Sequence, residues 1–188
     1  MRAIETIKNI WKIEDLRKRI ITTILLVLVY RVGSYVVLPG IDPANLDALR
    51  SQTSKGLMQL LDMFSGGAFS NASIFALGIM PYITASIVIQ LLGMVMPSFQ
   101  KLQRESGRTK LNQYTRYLTV IILLMQGPAY LVNLKVQMGS ALFPSGWLFI
   151  VSSTIVLAAG SMFIMWLGER ITDKGIGNGI SFIILVGI

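Results

Sequence analysis

The chain has 188 residues, of which 53% are hydrophobic and only 14% charged, with a net charge of +8. That is too little charge to cover a water-soluble domain of this size, which points to a lipid bilayer as the solvent. The absence of Cys and His removes disulfides, thiolate nucleophiles, Cys/His metal sites and imidazole acid–base chemistry together.

Residues 1–19 are charged throughout, and the apolar run that follows is too long for a cleavable signal peptide. Ile4, Ile7, Ile10 and Trp11 fit within an arc of about 120° on a helix. Ile13, Leu16 and Ile20 share a different face, so the pattern breaks near Lys12. The reading is a short interfacial helix that bends and runs into a first span, its basic residues facing anionic headgroups. A merely solvated charged leader is the alternative.

Four apolar runs follow, at residues 20–38, 74–96, 117–134 and 147–167. Each reaches roughly 27 Å or more as a helix, close to a hydrocarbon core of about 30 Å. The first contains Arg31, which costs roughly 2.5–3.5 kcal/mol at the membrane centre and less in the outer half, where it can snorkel. The segment 39–73 holds the stretch GLMQLLDMFSGGAF at 56–69. It is apolar yet too short and interrupted to cross. Either it is re-entrant, which requires protein or a water-filled cavity around it, or it is an amphipathic helix on the outer surface. In the first case Gly66 and Gly67 form a flexible joint.

The second run carries Gly78 and Pro81. Pro81 has no N–H for the Leu77 carbonyl, so the helix kinks or starts afresh there. Ile79 and Ile83 lie one turn apart beside that break, and Thr84 and Gln90 add polar groups that lipid disfavours. Gln126-Gly-Pro128 is expected to interrupt the third run. In the fourth, Ser152, Ser153, Thr154, Ala158, Ala159, Gly160 and Ser161 supply the small surfaces by which helices approach closely in lipid. Residues 168–175 form a polar connection. Residues 176–188 begin a fifth apolar run that reads as a span cut short. Gly175, Gly177 and Gly179 lack the lysine and Ser/Thr of a phosphate loop at the required spacing. A tight turn into the fifth helix, with Asn178 tolerating unusual backbone angles, fits better.

Orientation follows from the basic residues. Arg2, Lys8, Lys12, Arg17, Lys18 and Arg19 precede the first run. Lys101, Arg104, Arg108, Lys110 and Arg116 separate the second from the third, and Arg170 and Lys174 the fourth from the fifth. In an alternating chain these share one side, opposite Arg50, Lys55 and Lys135. The N-terminus, 97–116 and 168–175 are therefore expected in the cytoplasm, with 39–73 and 135–146 outside. Basic residues beside apolar runs, rather than along one soluble face, argue against direct nucleic-acid recognition. No acidic residue falls inside a long apolar run, where pumps and intramembrane hydrolases keep their ionisable groups. No enzymatic activity, metal or cofactor is expected.

Two long stretches, ALGIMPYITASIVIQLL at 76–92 and WLGERITDKGIGNGISFII at 166–184, resemble signatures of the SecY family of protein-export channel subunits. Arg31-Val-Gly-Ser34, Pro39-Gly-Ile-Asp42, Met63-Phe-Ser-Gly-Gly67, and Glu105-Ser-Gly-Arg108 with Gln113-Tyr-Thr-Arg116, resemble family stretches in the same order. The resemblance implies an all-α, polytopic integral membrane helix bundle, half of an inverted-repeat channel with a short re-entrant plug helix. It implies that Ile79, Ile83, Ile180 and Ile184 belong to a pore ring, whose branched aliphatics would dewet a constriction. Residues 57–71 align with the plug, including Leu57, Leu60, Leu61, Met63, Phe64, Ser65, Gly66 and Gly67. Thr84 and Gln126 align with a lateral gate, where their hydrogen bonds would hold the gate shut until a signal sequence replaces them. The implied partners are SecE and SecG subunits, the SecA motor ATPase, a ribosome with its nascent chain, signal sequences and membrane lipids. The implied place is the bacterial inner membrane. A rival from the residues alone is half of a secondary transporter with a broken helix at Gly78–Pro81. Its weakness is the lack of acidic residues at membrane depth for ion coupling.

Overall fold

The computed structural model describes residues 2–53, 55–104, 107–139 and 144–188; Glu105 and Ser106 of the family-like stretch 105–108, and 140–143 of the loop expected at 135–146, lie outside the described residues. Nine α-helices occur among them, with one 3-10 turn and one isolated antiparallel bridge, Val37 to Ser73.

Helix α1 (Arg2–Lys12) ends where the amphipathic pattern does: Ile13 is extended, and α2 (Glu14–Gly33) starts beyond it. Glu14 and Asp15 sit in the first turn of α2, favourable to the helix dipole, and pair with Lys18 and Arg19 one turn on. The first apolar run was read to residue 38, but the helix stops at Gly33. Pro39 disfavours helical backbone at Leu38, and Val36 and Val37 suit extended chain. The 36–38 segment instead pairs with 72–74, the Leu38 N–H donating to the Ala72 carbonyl (2.9 Å) and the Ile74 N–H to that of Val36 (3.0 Å).

Two short helices, α3 (Leu46–Thr53) and α4 (Leu57–Phe64), precede a non-helical passage from Ser65 to Ile79. Helix α5 (Met80–Val95) then starts with Pro81 in its first turn, where the missing N–H costs nothing. Of the two outcomes expected at Pro81, the structure adopts the fresh start. At roughly 24 Å, α5 alone is shorter than a hydrocarbon core. Pro97 opens α6 (Pro97–Arg104).

Helices α7 (Arg108–Met138) and α8 (Trp147–Lys174) are long and apolar enough to cross a membrane. Roughly 46 and 42 Å long, they extend beyond a 30 Å core. At one protruding end Arg116 of α7 pairs with Glu169 of α8 at 2.6 Å. The pair is partly exposed, so it contributes about 0.2–1 kcal/mol. Pro128 does not interrupt α7, contrary to the expectation for Gln126-Gly-Pro128. Gly127 packs there on Thr154 of α8, so the neighbouring helix braces the turn that Pro128 weakens.

Helix α8 is the central element, packed on α7, α2 and α9 (Gly179–Gly187), while α5 packs on α7. Its small residues set the spacing. A Cβ on Gly160 would stand 2.1 Å from the Ile74 carbonyl oxygen, and one on Gly179 would stand 1.9 Å from that of Gly168. The α8–α9 turn is tied down at several points. The Thr172 hydroxyl accepts from the Gly179 N–H (2.8 Å), and that of Thr23 from the Ile176 N–H (3.2 Å). The unusual backbone angle falls on Gly177 (φ +67), not on Asn178. Asn178 caps α9, its side-chain oxygen accepting from the N–H groups of Ile180 and Ser181.

Gly160→Val in the full-length protein is expected to cost about 1–3 kcal/mol by overpacking against backbone, lowering the thermal transition in detergent. Ala159→Leu, exposed on the same helix, should leave the transition in place. Asn178→Ala should cost about 1 kcal/mol as a lost N-cap, and Asn178→Asp should retain most of it.

Candidate functional site

The break before α5 and the turn before α9 bring four isoleucines from distant parts of the chain together. Ile79 is 2% exposed, within a cluster that also buries Tyr30, Ala68, Phe75, Ile164, Leu167, Ile171 and Ile183. Ile83, Ile180 and Ile184 are half-buried against it. Ile79 occupies the N-cap position of α5 and Ile83 its first turn, so the break in the helix decides where both side chains stand.

Next to this cluster, the backbone after α4 turns sharply. Gly66 and Gly67 both have left-handed backbone (φ +67 and +81), as have Ala72 and Gly78. The turn is held from two helices. From α2, the Tyr30 hydroxyl donates to the Ser65 carbonyl (3.1 Å) and Arg31 Nη1 to the Gly66 carbonyl (2.9 Å). From α7, the Tyr130 hydroxyl donates to the Phe69 carbonyl (2.9 Å). Within the turn, an Asp62 carboxylate oxygen accepts from the Ser70 N–H (2.8 Å), and the Ser65 hydroxyl accepts from the Phe69 N–H (3.0 Å). Arg31, an isolated anomaly in the sequence, thus has a partner, and a charge-assisted bond of this kind contributes about 1.5–3 kcal/mol. The glycine pair is a tethered turn where the sequence suggested a free joint.

Helix α4 itself is far less enclosed. Leu57 is 80% exposed, and Leu60, Leu61, Met63 and Phe64 also show apolar surface, whereas Ser65 is 2% exposed. One side of α4 borders a cavity of about 290 Å³ whose walls include Leu61, Ser65, Met80, Thr84, Gln126 and Tyr130. Thr84 and Gln126, on different helices, therefore face the same space. The Thr84 hydroxyl donates to Met80 in its own helix (3.0 Å), which lets a threonine line an apolar cavity without an unpaired group.

A second cavity, about 350 Å³ and more polar, opens beside Ile180 and Tyr82 near the Arg116–Glu169 pair. Among the described residues no group of three or more Asp/Glu side chains could hold a metal ion. Sequence reasoning missed Tyr30 and Tyr130, whose hydroxyls organise the turn. The signal available was a phenol within an apolar run, which needs a partner when buried.

A model of the SecY family matches residues 73–188. The protein translocase subunit SecY of Escherichia coli (strain K12) is 46% identical over 179 residues, covering 93% of this chain and 40% of that protein. The subunit of the same name from Buchnera aphidicola subsp. Schizaphis graminum is 45% identical over 186 residues, covering 96% of this chain and 42% of the relative. That of Haemophilus influenzae is 47% identical over 177 residues. The chain thus spans about two-fifths of the length of these relatives. Among solved structures, Sec61 in the canine ribosome–channel complex from the endoplasmic reticulum matches with a TM-score of 0.57 at 22% identity, over 91% of this chain and 36% of that one. At that identity the likeness establishes a shared fold.

Proposed function

The chain belongs to the SecY family, and from that premise we propose that it forms part of the central subunit of a protein-conducting channel. The channel would move unfolded secretory polypeptides across the membrane and release apolar helices laterally into it. Half of a secondary transporter is not favoured by this membership. The observation that carries the reading is the convergence of Ile79, Ile83, Ile180 and Ile184 on one apolar cluster beside the tethered turn.

In this reading the four isoleucines contribute to a ring that closes around nothing at rest and around an extended chain during transport. Branched aliphatics suit that task because they exclude water and mould to varied side chains without binding any of them tightly. Helix α4 with residues 65–67 is the plug, and its exposed apolar face supports the role because a movable stopper has few permanent contacts. Thr84 and Gln126 line the gate side of α5 and α7, and their shared cavity supports a place where an arriving apolar helix could replace the present neighbours.

The membrane-crossing parts would be α2, α5 with the passage before it, α7, α8 and α9. The N-terminus, α6 and the α8–α9 turn would lie in the cytoplasm, since the basic ends of α2, α7 and α8 gather on one side. Helix α1 would lie in the interface, with exposed Ile4, Ile7 and Trp11 toward lipid. A bacterial inner membrane is proposed from the source of the relatives. The ribosome is proposed as a partner from the canine complex. SecE and SecG, the SecA motor and signal sequences are proposed with it from the family resemblance.

A photo-crosslinker at Ile83 of the full-length protein tests the path directly. A stalled secretory chain should crosslink there only when its signal sequence is functional; labelling of lipid or neighbouring helices alone would refute the assignment. Ile83→Asn or Ile184→Asn should loosen the ring, raising ion leak and admitting chains with defective signal sequences. Unchanged leak and unchanged signal selectivity would count against it.

A further inference from the structure

We infer that Arg31, seconded by Tyr30, is a positioning residue that latches the base of the plug to α2 and so sets its resting position. The inference rests on the reading of α4 as the plug. It goes beyond that reading by naming what holds the plug and where it turns.

The two ends of α4 differ. At its N-terminal end, Gly56 has left-handed backbone (φ +70), and a Cβ added there would meet nothing within 4 Å. At its C-terminal end the chain is gripped. A Cβ on Gly66 would stand 3.0 Å from the Tyr30 hydroxyl, 3.3 Å from Arg31 Nη1 and 3.2 Å from the Gly187 Cα. Gly187 belongs to α9, the helix carrying Ile180 and Ile184. The seat is therefore made of two hydrogen-bond donors from α2 and bare backbone from α9. Beyond the turn, Tyr130 fixes Phe69 to α7.

Helix α4 also meets α3 and, at Met63 and Phe64, α9, and its Asp62 accepts from the Ser70 N–H across the turn; a swing of α4 as a unit would pivot at Ser65–Gly66 and give up these contacts as well. A large swing must break the Arg31 and Tyr30 bonds, because both side chains donate to the pivot carbonyls themselves. Arginine suits this place better than an apolar residue: its charge strengthens a bond to a carbonyl that has left the helix. Its long stem reaches the turn from a position in α2 that is otherwise open. A substitution that keeps the charge keeps part of the grip; one that removes it shifts the balance toward an unseated plug.

The test uses the full-length protein with its partner subunits in planar bilayers, recording ion conductance without substrate. Arg31→Met should raise resting conductance on the order of ten-fold, the shift expected from losing one charge-assisted bond. Arg31→Lys should recover most of the seal, and deletion of residues 57–64 should raise conductance at least as far as Arg31→Met. Unchanged conductance in Arg31→Met, with a raised value in the deletion, overturns the latch and leaves the plug reading standing. Unchanged conductance in the deletion overturns the plug reading and the latch with it. Spin labels at Leu60→Cys and Val32→Cys, with any cysteine outside these 188 residues replaced, give a second measurement. The distance between them should broaden in Arg31→Met while a Tyr117→Cys, Ile155→Cys reference pair on α7 and α8 stays sharp. Two unchanged distances overturn the proposal. Equal broadening of the reference marks Arg31 as a general folding residue and overturns it as well.

Discussion

The rest of the structure depends on one constraint: a stretch of backbone that is not helical must find hydrogen-bond partners among apolar segments. Residues 65–79 leave the helical ladder and expose N–H and carbonyl groups where lipid offers no substitute for water. Each unpaired group would cost several kcal/mol. The surrounding helices therefore carry polar side chains at defined places. Tyr30, Arg31 and Tyr130 donate to carbonyls of the turn. The Ser73 hydroxyl donates to the Gly33 carbonyl and accepts from the Phe75 N–H.

That requirement explains the small residues on the neighbouring helices. A backbone that crosses between helices must come close to them, and Gly160 meets the Ile74 carbonyl where no side chain would fit. Gly33 lies against the Phe75 ring for the same reason. Helix α8 combines both roles, presenting small surface to the passage and large apolar residues such as Leu157 and Ile164 to the two core clusters. The clusters lie to either side of the passage: one gathers Leu38, Leu46, Leu49 and Leu134, the other the isoleucines of α5 and α9.

Much of this was legible one residue at a time. Pro81 announced a break, and α5 begins there. The change of face near Lys12 announced the bend at Ile13. Other residues misled because their effect depends on a neighbour. Pro128 weakens one turn of α7, but packing of Gly127 on Thr154 keeps the helix whole. Gly66 and Gly67 read as loose because glycine is permissive. In the folded chain that permissiveness serves a fixed left-handed turn beneath Tyr30 and Arg31. Asn178 read as a residue tolerating odd angles, whereas Gly177 takes the odd angle and Asn178 supplies the cap.

By itself the sequence determined the class of solvent, the number of apolar runs, the breaks near Lys12 and at Pro81, and the family. These follow from composition, from periodicity within one segment and from linear motifs. Only the tertiary structure decided which partner Arg31 takes, that Thr84 and Gln126 share a cavity, and that isoleucines a hundred residues apart lie in one cluster. Such facts are distances between segments remote in the chain, and no local propensity encodes them. They emerge when α8 packs against its neighbours and its glycines fix how closely the remaining backbone can approach.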